Sequence, residues 1–193
     1  GTVFDQEVLS AMQKAGETRK EDWAVNADDI FICMDATTGR TLWKTRFVER
    51  GYNFNKFNKG GPQLSPCVRQ DKVYAMGTAG RVYCVDAGSG APLWESDIGT
   101  RAVIFEYLRL ISLQQQRLTG FRSDLDSSPA VADGVLFCNT HIMFKGGQRS
   151  TGNGMIALDG RTGRKLYELP DCLGWASSAL PWRHGGKEYV IAA

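Results

Sequence analysis

Cys33-Met-Asp-Ala-Thr-Thr-Gly-Arg-Thr-Leu-Trp43 decides the fold, because the same pattern returns twice further along the chain. It recurs as Cys84-Val-Asp-Ala-Gly-Ser-Gly-Ala-Pro-Leu-Trp94 and as Ala157-Leu-Asp-Gly-Arg-Thr-Gly-Arg-Lys-Leu-Tyr167. The three align without gaps: a small residue first, Asp third, Thr or Ser sixth, Gly seventh, Leu tenth and an aromatic eleventh. Their aspartates stand 51 residues apart (86 − 35) and then 73 apart (159 − 86). Chance does not match six residue classes at fixed spacing three times over, so the chain is a repeat protein.

The unit can be read chemically. Apolar runs lead into it at Ile30–Ile32, Val82–Val85 and Met155–Leu158, and their β-branched and aromatic content marks strands. Asp35, Asp86 and Asp159 are placed to accept backbone N–H groups of a tight turn. Gly39, Gly90 and Gly163 supply the residue free to take positive φ. The chain then reverses into a second strand carrying Leu42-Trp43, Leu93-Trp94 or Leu166-Tyr167, so each unit is a β-hairpin with a polar tip.

A second element lies upstream. Ser65-Pro66 precedes Lys72–Met76, Ser128-Pro129 precedes Gly134–Cys138, and Ser178-Ala179 precedes Glu188–Ala192. Each reads as two further short strands, the proline marking where the first begins, since proline is excluded from mid-ladder positions. Four antiparallel strands per repeat of about 50 residues make a β-propeller blade. The fold class is therefore all-β: a partial propeller of three to four blades, with blade units near 29–46, 61–99, 127–170 and 175–193. The second interval is 22 residues longer (73 − 51). Insertions near 101–126 and 140–152 absorb the difference, as propeller loops allow. Apolar spacing within Gln6–Ala15, and Ile104, Leu108, Ile111 and Leu118 on one helical face, predict two minor helices.

These units resemble the blades of the pyrroloquinoline-quinone (PQQ)-like propeller family, whose tryptophan-docking motif is similar to A-x-D-x-x-[ST]-G-x-x-x-W. The resemblance covers about residues 29–193. It implies that the aromatic of one blade packs on the glycine turn of its neighbour. Asp35, Gly39 and Trp43 would act so in the first unit, then Asp86, Gly90 and Trp94, then Asp159, Gly163 and Tyr167. Cys33 and Cys84 replace the usual alanine, and Tyr167 the usual tryptophan. For function the resemblance implies a scaffold with several uses. Some members are PQQ- and calcium-dependent dehydrogenases; others are exported, non-catalytic assembly platforms. Family rings have seven or eight blades, so the chain is expected to be a fragment whose partners include the remaining blades. A ring formed from two chains is the alternative. A periplasmic or extracellular location follows from the resemblance alone, since no leader is visible behind Gly1.

Composition removes several function classes. With 23 basic and 21 acidic residues in 193, the charge is +2 (23 − 21), which is no nucleic-acid footprint. No apolar run approaches the ~20 residues of a membrane span. Cys33, Cys67, Cys84, Cys138 and Cys172 are odd in number without a C-x-x-C pair. They match no zinc pattern and read as small buried hydrophobes, with one disulfide as an alternative.

No catalytic residue and no metal ligand is assigned. The quinoprotein alternative needs clustered carboxylate and amide ligands for calcium beside the quinone, and no stretch shows them, so no cofactor is expected. His141 and His184, the two histidines, sit at a strand end and a hairpin tip. The polar loop Arg50–Gly61 mixes aromatics, amides and lysines. Within it Tyr52, Asn53, Asn55, Lys56, Asn58 and Lys59 form the candidate face for a ligand or a protein partner. The Gly-rich run Lys145–Gly154 lacks the G-K-[ST] of a phosphate loop. The expected activity is that of a non-catalytic binding scaffold, with a fragment of a PQQ-dependent alcohol or sugar dehydrogenase as the alternative.

Overall fold

A computed structural model describes residues 25–52, 64–77, 80–98, 127–139, 154–172 and 178–192, with side chains from 28 to 48 in the first segment. Every element among them is a β-strand. In order they are β1 (Val25–Met34), β2 (Thr41–Tyr52), β3 (Cys67–Arg69), β4 (Lys72–Met76), β5 (Arg81–Asp86), β6 (Pro92–Asp97), β7 (Ala130–Ala132), β8 (Val135–Asn139), β9 (Met155–Asp159), β10 (Lys165–Leu169), β11 (Leu180–His184) and β12 (Lys187–Ile191). They form two complete four-stranded antiparallel sheets, β3-β4-β5-β6 and β7-β8-β9-β10, flanked by the two-stranded sheets β1-β2 and β11-β12. This is a partial β-propeller. β3 and β7 start at Cys67 and Ala130, directly after Pro66 and Pro129.

The sheets stack face to face, which sets the burial pattern. Val82, Tyr83, Cys84 and Val85 of β5, and Met155 to Leu158 of β9, are buried on both faces, because each lies in a sheet covered on either side. Consecutive apolar residues there serve two interfaces at once, so alternation disappears. Between the complete sheets, Tyr74, Met76, Val82 and Cys84 meet Val131, Leu136, Cys138, Ile156 and Leu158. Beyond them, Ala130, Met155 and Ala179 gather Phe137, Leu169 and Val190. Phe31, Phe47 and Tyr83 join β1-β2 to the next sheet, with ring centroids 4.2 to 5.5 Å apart.

One boundary differs from expectation. Arg50, Gly51 and Tyr52 belong to β2, since β1 begins at Val25 and pairs Val25 with Tyr52 and Ala27 with Gly51. Tyr52 is thus the end of a strand, and the loop starts beyond it. Asn53, Asn55, Lys56, Asn58 and Lys59, both helix expectations and both insertions lie outside the described residues. Cys84 and Cys138 are buried and Cys33, Cys67 and Cys172 half-buried, all five as free thiols.

Candidate functional site

Each repeat turn is closed by its aspartate. Asp35 Oδ1 accepts the N–H of Thr37 and Thr38 at 2.9 and 2.8 Å. Asp86 Oδ1 accepts the N–H of Gly88 and Ser89 and the Ser89 hydroxyl at 3.1, 2.8 and 2.7 Å. Asp159 Oδ1 accepts the N–H of Arg161 and Thr162, both at 2.9 Å. The sixth-position hydroxyl takes one more backbone donor, from Arg40, Ala91 or Arg164. Gly39, Gly90 and Gly163 return an N–H to the carbonyl of the same aspartate at 2.8 Å, with φ between +69° and +73°. Donors converging on an ionised carboxylate favour the charged form. All three groups are therefore held below the ordinary carboxylate value, chiefly by the Thr38 N–H, the Ser89 hydroxyl and the Arg161 N–H respectively.

Two of the three turns carry an aromatic from the preceding sheet. Trp43 Nε1–H donates to the Ala87 carbonyl at 3.0 Å, its ring lies over Gly90, and the Thr45 hydroxyl donates to the Gly90 carbonyl. Trp94 Nε1–H donates to the Gly160 carbonyl at 3.2 Å, with its ring over Gly163. The Tyr74 hydroxyl donates to that same carbonyl at 3.0 Å, and burial pushes the phenol up to about 12. Among the described residues Gly39 and Tyr167 are not matched this way. Among the described residues nothing lies within 4 Å of a Cβ built on Gly39, and Tyr167 is 46% exposed.

Three further links join neighbouring sheets. The Ser65 N–H donates to Ser128 Oγ and the Ser128 N–H to Ser178 Oγ, each at 2.9 Å, so one serine per repeat forms a chain. The repeated Ser-Pro and Ser-Ala offsets carry that signal, although by themselves they mark only a strand start. Glu188 of β12 accepts the Asp133 N–H at 2.8 Å and pairs with Arg69, reaching two sheets back; these lower its pKa, the Asp133 bond most. The Tyr83 hydroxyl donates to the buried Asp29 carboxylate at 2.7 Å. Burial first, then that carboxylate, raises the Tyr83 pKa. No pattern signalled this pair, because Asp29 lies outside the repeated motif.

His184 ends β11 and stacks on Trp182 with centroids 5.1 Å apart, while His141 lies outside the described residues. A quinone–calcium site would need several hard oxygen ligands at one point. Among the described residues the motif carboxylates each serve their own turn, at three separate places. No three His, Cys, Asp or Glu side chains gather to hold a metal there. No helix among these residues is long and apolar enough to cross a membrane.

Stacked four-stranded sheets tied through aspartate turns and aromatic contacts define a PQQ-like β-propeller. The chain belongs to the PQQ-like family whose model is described as outer membrane protein assembly factor BamB, which matches residues 26–191. Among solved structures it is similar to BamB from Moraxella catarrhalis, with 15% identity and a TM-score of 0.45 over 84% of this chain and 37% of that one. It is also similar to the quinohemoprotein alcohol dehydrogenases ADHIIG of Pseudomonas putida HK5 and of Comamonas testosteroni. Identities are 18% and 13%, TM-scores 0.38 and 0.40, and coverage 70% and 77% of this chain. The chain spans 37%, 17% and 23% of the lengths of these three proteins. No curated protein matches it.

Proposed function

We propose that the protein is an exported, non-catalytic PQQ-like propeller that binds a protein partner or a ligand on its loop face. The observation that carries this reading is where the repeat chemistry goes. Asp35, Asp86 and Asp159 are spent on their own turns. Trp43 and Trp94 are spent on the neighbouring sheet. What the repeats build is a rigid frame, and frames of this kind present loops for recognition. Membership in a family described by an assembly factor supports the same reading, and a periplasmic location goes with it. In this proposal Asp35, Gly39, Trp43 and their counterparts tie the blades, while Tyr52, Asn53, Asn55, Lys56, Asn58 and Lys59 contribute to the binding face.

Two measurements test the proposal. Titration with PQQ and Ca²⁺, followed by absorbance and by dye-linked oxidation of a primary alcohol and an aldose, should give neither saturable binding nor turnover. Either one would establish the dehydrogenase reading instead. The immobilised chain should retain a protein from a bacterial periplasmic extract that is lost when Asn53, Asn55, Lys56, Asn58 and Lys59 are changed to Ala. Equal retention by both forms would overturn the loop-face assignment.

A further inference from the structure

The hairpin β11-β12 is longer than its counterparts β3-β4 and β7-β8. Ser65, Ser128 and Ser178 fix the comparison, since each of the first two donates its N–H to the hydroxyl oxygen of the next. Four residues on stand Arg69, Ala132 and Trp182, paired with Lys72, Val135 and Tyr189. β3-β4 then turns at once through Gln70-Asp71, and β7-β8 through Asp133-Gly134. β11-β12 runs on for two more pairs, Arg183 with Glu188 and His184 with Lys187. It turns only at Gly185-Gly186, with φ +57° and +79°. At about 3.4 Å per residue the overhang is ~7 Å long.

The overhang leans back over the sheets before it. Alternation along β12 puts Glu188 on the face of Val190, which packs with Ala130 and Ala179. From there its carboxylate accepts the Asp133 N–H at 2.8 Å and pairs with Arg69, one sheet further back. Asp133 is held in a left-handed backbone, φ +46°, with its N–H turned to that carboxylate. Ala132, on the face of β7 turned to this hairpin, is 3% exposed. Neighbouring sheets approach one another through their first strands β3, β7 and β11, which places these ties at the axis side of the blades. Trp182, His184 and Tyr189 stack on one another on the opposite face of the hairpin.

We propose that the overhang is a strap latched by Glu188 across the axis-side ends of the two preceding blades, and that neutralising this carboxylate lifts it. The charged groups around the latch are Arg69, Asp71 and Lys72 at the β3-β4 tip, Asp133 at the β7-β8 tip, and Arg183, His184 and Lys187 on its own hairpin. The Asp133 N–H first, then the Arg69 charge, hold the Glu188 pKa below 4.5. The preference for the closed strap is therefore complete above 4.5 and is lost as pH falls through the lower folded value. Lifting frees Arg69, the Asp133 N–H and Ala132 at the axis. It leaves the four-stranded sheets paired, because their shared core lies between β4-β5 and β8-β9.

Hydrogen exchange of the full 193-residue chain tests the latch, read by mass spectrometry on peptides covering 180–191 and corrected for the intrinsic rate at each pH. Between neutrality and pH 3.8 the exchange of that hairpin should rise about fivefold, since an open carboxylate with a pKa of 4.5 is about five-sixths protonated there. Peptides of β4-β5 and β8-β9 should show no such rise. Glu188→Gln should exchange faster at neutral pH and lose the acid rise. Arg69→Met replaces a half-exposed side chain, and should exchange faster at neutral pH while keeping a smaller rise. An acid rise that persists in Glu188→Gln, one shared by β4-β5 and β8-β9, or neutral-pH exchange that neither variant changes, overturns the proposal.

Discussion

Gly90→Ala isolates the contact that joins one sheet to the next. Gly90 has φ +73°, and an added Cβ would stand 2.5 Å from Trp43 Cε3, 2.6 Å from Cδ2 and 2.8 Å from Thr45 Oγ1. Gly134 is its control, with φ +74° and, among the described residues, nothing within 4 Å of the added carbon. Gly134→Ala therefore carries the left-handed backbone cost alone, about 1–2 kcal/mol. Gly90→Ala carries the same cost plus an overpacked methyl, worth about 1–3 kcal/mol. The gain from a stiffer unfolded chain is common to both and cancels. The indole has little room to retreat, because its N–H is bonded to the Ala87 carbonyl. Gly90→Ala should thus be the more destabilising by about 1–3 kcal/mol, each kcal/mol lowering Tm by roughly 2–4 °C in a chain of this size. Urea titrations followed by far-UV circular dichroism measure the difference. In a Trp43→Ala background it should shrink, since of the three close contacts only the one with the Thr45 hydroxyl then remains. Equal costs at Gly90 and Gly134, or a Gly90 cost unchanged without Trp43, would refute the reasoning.

Other expectations follow from the same contacts. Trp94→Phe keeps the ring over Gly163 but removes the donor to the Gly160 carbonyl, and should cost about 1 kcal/mol in denaturant titration. Asp35, Asp86 and Asp159 have folded-state pKa values below their unfolded value of 3.8. Their stabilisation is therefore complete above that value and is lost as pH falls through the lower folded values. Stability measured against pH should be flat through neutrality and fall below 3.8, with a shallower fall in the triple Asp→Asn variant. Burial pushes the Cys84 thiol up to about 11 and raises Cys138 as well. In the native protein an aromatic disulfide reagent should modify Cys33 and Cys172 first, and reach Cys84 and Cys138 only on unfolding; early reaction of Cys138 would contradict the buried core.

The repeat, the strand-turn-strand unit and the all-β class were legible in the sequence because each rests on local chemistry. An aspartate caps a turn through N–H groups two and three residues away, and a glycine takes positive φ four residues on; both fit within one motif. Proline before β3 and β7 is equally local. Tyr52 reads locally as loop because its membership in β2 depends on Val25, 27 residues upstream (52 − 25). The Asn53 to Lys59 face rests on composition alone. What only the tertiary structure decided is which surfaces meet. Trp43 reaches Ala87, Ser65 reaches Ser128 and Ser178 lies one repeat further; Glu188 spans back to Arg69, and Tyr83 closes on Asp29. Those pairings cross 44 to 119 residues of chain, and a pattern with a period of one repeat cannot specify a partner in the next. Gly39 and Gly90 have the same motif, yet only stacking of the sheets puts an indole over Gly90, while among the described residues none lies over Gly39.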